Sequence, residues 1–396
     1  MRSWPGRFAI ACGTISLLVP RTAAAQAAPA PRPVLAALNA GDLAQWQSWT
    51  EALGWQVLAP SVAAEAGIDA RVQALEKQVS AAVQNGSADP ARIYLGGRGG
   101  DSAAVFYAIS RVPDLWAAAV ALGGSAQPAI DSDRLYAANF AHVPVLWIGS
   151  GGNDETVAEQ LRSAGIPLEW RSSAGANISE VLEWLGNHTR EPYPAAIDCE
   201  TNSPAFAGCY WIRMTRLDPA ERNDVLPSTR VAASLRASLD LGGFGYKPDS
   251  TGPGVLIGFL PEKYSGPLKM GDRIVALDGR DIPDARRYAD LMAQISEERP
   301  AAVVVQRGKE RIRIETRIVL PRRVPVTTAR VQAHYLPAEK QVQIISRTVA
   351  AMRVTIPPQW VPSVLNWNGV PLEQMEEPGC RLLTMDRELE KVAPCP

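Results

Sequence analysis

Apolar residues in the first half of the chain follow two alternating rhythms. Pro33-Val34-Leu35-Ala36-Ala37-Leu38, Trp55-Gln56-Val57-Leu58-Ala59-Pro60, Trp116 to Gly124 and Val143 to Gly149 are short, dominantly apolar runs, as strands covered on both faces require. Between them lie helical patterns: Leu43 to Leu53, about Ala70 to Val83 with Val72, Leu75, Val79 and Val83 in step, Glu155 to Ala164, and Ile178 to Leu185. Asn85-Gly86 breaks the second helix, and Asp89-Pro90 leads into a strand at Ile93. Strands alternating with helices at this spacing predict an α/β unit with a parallel sheet covered on both faces.

From Thr229 the pattern becomes short strands separated by glycine turns. Gly254 to Leu260 is followed by the run Ser265 to Gly279, one helix from about Asp284 to Ile295, and two strands, Ala302 to Gln306 and Arg311 to Leu320. Four more runs follow: Val331 to Tyr335, Gln341 to Ile345, Met352 to Ile356 and Val364 to Trp367. Asn368-Gly369 before Val370-Pro371-Leu372 predicts a tight hairpin, because both turn residues tolerate positive φ. The end of the chain therefore reads as a small all-β module resembling a sandwich. Trp211, Trp360 and Trp367 are read as core filling in preference to carbohydrate stacking.

The 396 residues allow two or three domains, and 46% apolar with 20% charged residues suits ordinary cores. Net charge is −1, and leaving out Arg2, Arg7 and Arg21 takes it to about −4, so nucleic-acid binding is not expected. Arg2 and Arg7, the apolar run from Phe8 to Val19 and the Ala25-Gln26-Ala27 site have the form of a signal peptide spanning 1–27, which predicts export to the periplasm or outside the cell. That run is too short to span a bilayer as a stable anchor, so no membrane span is expected. Beyond the leader's Cys12, four cysteines remain, and an oxidising compartment favours two disulfides. Three connectivities are possible. Closeness in sequence favours Cys199 with Cys209 and Cys380 with Cys395. Without a C-x-x-C pair, and with His142, His188 and His334 scattered, neither metal nor cofactor is expected.

Arg92-Ile93-Tyr94-Leu95-Gly96-Gly97-Arg98-Gly99-Gly100-Asp101-Ser102 reads as strand, sharp turn and helix, the setting of a nucleophile elbow. With the segments around it, residues 33–194 resemble the secreted esterase and dienelactone-hydrolase branch of the α/β-hydrolase fold. The resemblance implies departures at the chemical positions. Asn39 stands where a His-Gly loop usually helps form the oxyanion hole, Arg98 stands at the nucleophile, Asn153 or Asp154 at the acid, and Asn177 at the histidine. A guanidinium cannot attack an acyl group, so the frame is expected to be a pseudo-hydrolase. Ser102 reads as a helix-start residue with no evident imidazole partner. Arg98 is read either as a charge needing Asp101 or Asp154 as partner, or as part of an anion site at a helix amino terminus.

Residues 229–322 resemble a PDZ domain, a β-barrel with helices, most specifically through Leu268-Lys269-Met270-Gly271-Asp272-Arg273-Ile274 followed by Asp278-Gly279. The resemblance implies a carboxylate-binding loop at Gly243-Phe244-Gly245-Tyr246, where consecutive N–H groups form a nest and the next strand accepts a peptide as an added strand. The helix bearing Arg286, Arg287, Ala289, Asp290 and Met292 would wall the groove. Pro248 shortens the edge offered to a peptide, and its N–H is missing. The blander reading is a domain that only packs against its neighbours. With the segment 204–228 supplying a first strand, Cys209 to Met214, and 323–396 the rest, the PDZ-like domain reads as an insertion into the carboxyl-terminal module. The function expected is binding of a peptide or protein carboxyl terminus by an exported, non-catalytic protein. The rivals are an active serine esterase or peptidase with relocated residues, and a structural envelope protein. Oligomeric state is not legible.

Overall fold

A computed structural model describes residues 30–62, 66–149, 151, 153–173, 177–232, 237–247, 250–261, 263–320, 326–386 and 389–396. The signal peptide expected at 1–27 and Pro248 lie outside the described residues.

The first unit is a six-stranded, wholly parallel sheet. Its strands are β1 (Arg32–Ala37), β2 (Gln56–Leu58), β3 (Ala88–Arg98), β4 (Ala118–Leu122), β5 (Val145–Gly149) and β6 (Leu168–Ser172), in the order β2-β1-β3-β4-β5-β6. Helices α1 (Leu43–Thr50), α2 (Ile68–Gln84), α3 (Ser102–Arg111), α4 (Gln127–Asp131), α5 (Asp154–Ser163) and α6 (Ile178–Gly186) complete it. Alternate strand residues serve opposite faces. Val34, Ala36, Ile93, Leu95, Ala119 and Trp147 pack with α2, α3 and α5, whereas Leu35, Ala37, Tyr94, Val120 and Leu146 pack with Trp46 of α1 and Leu182 and Leu185 of α6. Each fully buried Leu or Ile contributes about 1.5–3 kcal/mol relative to exposure. The helix expected to reach Leu53 stops at Thr50 and continues as a single tighter turn ended by Gly54 at φ 65°. All ten residues of α3 are buried, so the helix behind the elbow is the central one.

Three short strands follow: β7 (Ala196–Thr201), β8 (Gly208–Cys209) and β9 (Ile212–Leu217). The chain then forms a seven-stranded antiparallel sheet from β10 (Ser238–Leu239), β11 (Gly245–Lys247), β12 (Val255–Phe259), β13 (Arg273–Leu277), β14 (Arg280–Asp281), β15 (Arg299–Arg307) and β16 (Glu310–Val319), in the order β10-β16-β15-β13-β12-β11 with β14 against β13. Helix α7 (Ala285–Ala293) is capped by Asp284, whose side chain accepts from the Arg287 N–H at 2.7 Å. It closes a core with Val255, Ile257, Ile274, Val303, Val305 and Ile318 by burying Tyr288, Leu291 and Met292.

The remaining strands are β17 (Ala329–Leu336), β18 (Gln341–Arg347), β19 (Val349–Ile356), β20 (Ser363–Trp367), β21 (Val370–Met375), β22 (Gly379–Asp386) and β23 (Leu389–Pro394). They join the three early strands in two five-stranded sheets, β21-β20-β18-β17-β7 and β23-β22-β19-β9-β8, which share one core containing Trp211, Trp360 and Trp367. Strands before and after the seven-stranded sheet therefore lie side by side, β7 on β17 and β9 on β19. Three details differ from the sequence reading. The module begins at β7, upstream of residue 204; the run Cys209 to Met214 is split by a turn with Tyr210 at φ 54°; and β22 and β23 extend the second sheet. The Asn368-Gly369 hairpin forms as expected, with φ 49° and 91°.

Both favoured disulfides are present, Cys199–Cys209 with Cα atoms 5.9 Å apart and Cys380–Cys395 with Cα atoms 5.4 Å apart. The first joins β7 of one sheet to β8 of the other. The parallel-sheet unit meets the sandwich through Asn139, whose side chain both donates to the Glu200 carbonyl (2.9 Å) and accepts from the Glu200 N–H (2.7 Å).

Candidate functional site

Among the concave sites of the described residues, two hold the residues that the sequence singles out. One lies at the carboxyl ends of the parallel strands, where open α/β sheets usually place their ligands. The turn that would present a nucleophile falls one residue later than the sequence suggests. Arg98 is still in extended backbone (φ −128°, ψ 148°) as the last residue of β3, and the left-handed residue is Gly99 at φ 54°. The tight turn at the end of β3 is therefore made at Gly99, which carries no side chain, and not at Arg98. A Cβ built on Gly97 would come within 2.6 Å of the Asp101 carbonyl oxygen and of Val105 Cγ2, so the backbone approach that needs glycine is retained.

Arg98 does not pair as expected. Asp101 is instead held by Arg71 Nη1 (2.9 Å) and Asn39 Nδ2 (2.9 Å). Arg98 Nη1 reaches Asp42 Oδ1 at 3.3 Å, and its guanidinium stands 4.8 Å over the Trp49 ring. Both partners come from the loop and helix after β1, brought close because β1 neighbours β3. Asp154 opens α5 and is buried; Asn153 precedes it. Asn177 caps α6, its Oδ1 accepting from the Ser179 N–H at 3.0 Å. Ser102 is the first residue of α3, fully buried, and its hydroxyl donates to the carbonyls of Leu122 (3.3 Å) and Gly123. His142 donates to the Ala196 carbonyl (2.6 Å) and His188 to that of Trp184 (2.7 Å), so neither imidazole reaches Ser102. Arg98, Gly99, Ser173 and Asn177 nevertheless border one cavity of about 310 Å³, walled by Trp49, Leu122, Ile148 and Val181.

The second site is a groove of about 500 Å³ in the middle unit, between the Gly243 to Tyr246 segment and α7. Strand β11 is the last strand of its sheet, and among the described residues it pairs only with β12, which leaves its other edge open. Gly242 and Gly243 are exposed, and among the described residues neither the Gly243 nor the Phe244 N–H has a backbone acceptor. Leu239, Phe244, Tyr246, Ala289, Met292 and Val319 make the walls apolar. Tyr288 lies at its base, 5.7 Å from the Tyr246 ring and nearly perpendicular to it, and burial pushes its hydroxyl above the usual tyrosine range. Arg286, Arg287 and Asp290 face solvent, which leaves Ala289 and Met292 as the helix's contribution.

Sequence reading did not single out the support of this loop. A Cβ on Gly242 (φ 74°) would meet the Tyr264 ring at 2.8 Å, and the Tyr264 hydroxyl donates to the Leu241 carbonyl while accepting from the Leu268 N–H at 3.1 Å. The tyrosine fixes the start of the glycine loop through contacts more than 20 residues apart, a pairing that no local pattern announces.

No protein-family model and no curated relative matches the sequence. Among solved structures, the chain is similar to a thermostable esterase at 15% identity, over 41% of this chain and 56% of that one, with a TM-score of 0.31. It is also similar to a protein of Klebsiella pneumoniae subsp. pneumoniae MGH 78578 described as a dienelactone hydrolase, at 15% identity over 41% of this chain and 90% of that one, TM-score 0.32. A third likeness is to the HtrA-type protease AlgW with a decapeptide, at 20% identity over 23% of this chain and 31% of that one, TM-score 0.19. The chain thus spans little more than half of the esterase and under a third of the protease. The esterase and dienelactone-hydrolase likenesses each cover about two fifths of this chain, which also holds three further sheets beside its parallel one.

Proposed function

We propose that this chain is an exported, non-catalytic protein whose PDZ-like middle unit binds the carboxyl-terminal tail of a peptide or protein. The observation that carries the reading is the open edge of β11 beside α7, entered through Gly243 and Phe244, whose N–H groups are free of backbone acceptors among the described residues. An incoming tail would add as a strand along β11, its carboxylate in the nest of N–H groups and its last side chain in the apolar groove. Export is supported by the two disulfides, and no helix among the described residues is long and apolar enough to cross a membrane. The absence of catalysis is supported by a glycine at the elbow and an asparagine engaged as a helix cap where an imidazole would be needed.

The test is fluorescence anisotropy with a pool of fluorescein-labelled decapeptides ending in Val, Leu or Phe, each made with a free carboxylate or a carboxamide. The free acids should bind at least roughly tenfold more tightly, as a charge-assisted set of hydrogen bonds requires. Gly243→Asp should remove that preference, since its Cβ meets only Pro261 at an ordinary 3.6 Å and the added charge repels the carboxylate. Equal binding of acid and amide would rule the proposal out.

A further inference from the structure

The cavity at the carboxyl edge of the parallel sheet is unused by the peptide-binding reading. It measures about 310 Å³, the small end of the range for ligand pockets. Its walls are Trp49, Leu122, Ile148 and Val181, and its one charged lining residue among those described is Arg98. That guanidinium is held in place from two sides, by the Asp42 carboxylate at 3.3 Å and by the Trp49 ring at 4.8 Å. Among the described residues, one of its five donors has a hydrogen-bond acceptor. The acids near it are engaged: Asp42 with Arg98 itself, and Asp101 with Arg71 and Asn39. Among the described residues, a Cβ built at Gly99, the residue after Arg98 on the cavity lining, would meet nothing within 4 Å.

A planar fork of donors at the mouth of an apolar cavity recognises a carboxylate better than any neutral group, because the charge-assisted bonds form where water is partly excluded. We propose that this cavity binds a small monocarboxylate with an apolar body, its carboxylate on the Arg98 guanidinium and its body against Trp49, Ile148 and Val181. Without a nucleophile at Gly99 the ligand is held and not turned over. The site is separate from the groove of the middle unit and stands whether or not that groove takes peptides.

The experiment is isothermal titration calorimetry of the mature chain with phenylacetate and with its uncharged analogue 2-phenylethanol. Phenylacetate should bind and 2-phenylethanol should bind at least roughly tenfold more weakly. Arg98→Met should weaken phenylacetate by a similar factor. Ile178→Trp, at the half-buried first turn of α6 on the cavity rim, should abolish binding by filling the space. Gly243→Asp should leave it unchanged. Melting curves confirm that each variant is folded, and if Arg98→Met were not, Ile178→Trp still decides. No binding by the wild-type chain, equal binding of acid and alcohol, or loss in Gly243→Asp but not in the cavity variants would overturn the proposal.

Discussion

The Glu200 carboxylate, fully buried on β7, lies 3.1 Å from the half-buried Arg347 guanidinium of β18, an ion pair within one sheet of the sandwich. The same carboxylate accepts from Ser228 Oγ (2.7 Å), from the Thr229 N–H (2.6 Å) and hydroxyl (2.8 Å), and from the Thr328 hydroxyl. Ser228 and Thr229 precede the seven-stranded sheet and Thr328 follows it, so one acid on β7 holds both crossings of the chain. Removing one partner of a buried pair leaves the other charge uncompensated, at a cost of about 3–5 kcal/mol. Glu200→Gln should therefore lower stability by about that amount in urea titration. It should also speed proteolytic release of the middle unit. A loss below about 1 kcal/mol would mean that the bonds to the two crossings, and not the ion pair with Arg347, account for the contribution of Glu200.

A second carboxylate organises the middle unit internally. Asp272 is almost fully buried. Burial pushes its carboxyl up, but two bonds from Arg307 (2.9 and 2.7 Å) and one from the Lys269 N–H (2.7 Å) outweigh this and hold it below the ordinary carboxylate value. The folded state therefore binds this proton less readily than the unfolded chain. Its stabilisation is complete above the unfolded value of about 3.9 and is lost as pH falls through the lower folded value. Asp272→Asn should destabilise the protein at pH 7, and the gap in urea midpoint between wild type and variant should narrow at pH 3. A gap independent of pH would assign the effect to packing.

Much of the first unit was legible because parallel strands buried on both faces are apolar without interruption, as in Val145 to Gly149. The Asn368-Gly369 turn and both disulfides were legible for equally local reasons. What escaped were relationships that only the folded chain creates. Strand β7 alternates correctly, with Ile197 and Cys199 inward, but its Asp198 and Glu200 look like solvent-facing loop until Arg330 and Arg347, 132 and 147 residues on, are brought to them. The Gly96-Gly97-Arg98-Gly99-Gly100 run leaves the turn's register open by one residue, and only the positive φ at Gly99 fixes it. The partners of Arg98 escaped because Asp42 and Trp49 belong to the connection after β1, which sequence order places far away and sheet order places next door.

The two disulfides should not be worth the same. Cys199–Cys209 links the two sheets of the sandwich through fully buried residues, whereas Cys380–Cys395 ties the second sheet near the end of the chain. Replacing Cys199 and Cys209 together by Ala should cost about 2–4 kcal/mol, and the same change at Cys380 and Cys395 should cost less because a fraying edge gains less from restraint. Denaturation of the two double variants in parallel decides the order. A larger loss for the terminal pair would mean that β22 and β23 carry more of the module than their place at the edge implies.

The pseudo-hydrolase reading makes a demand on chemistry that one substitution can press. Gly99 occupies the left-handed turn with open space around it, so Gly99→Ser would place a hydroxyl at that turn at a backbone cost of about 1–3 kcal/mol. A serine without a base remains a poor nucleophile, and Asn177, which borders the same cavity, has its side-chain oxygen committed to the Ser179 N–H. His142 and His188 cannot substitute, because each ring is tied to a backbone carbonyl. Neither the wild-type chain nor Gly99→Ser should therefore react with a fluorophosphonate probe, and neither should hydrolyse p-nitrophenyl acetate above the rate of a heat-denatured control. Labelling of the wild type that maps to Ser102 would show that the buried hydroxyl, now spent on the Leu122 and Gly123 carbonyls, can be released for attack, and the cleft would then have to be read as an active site.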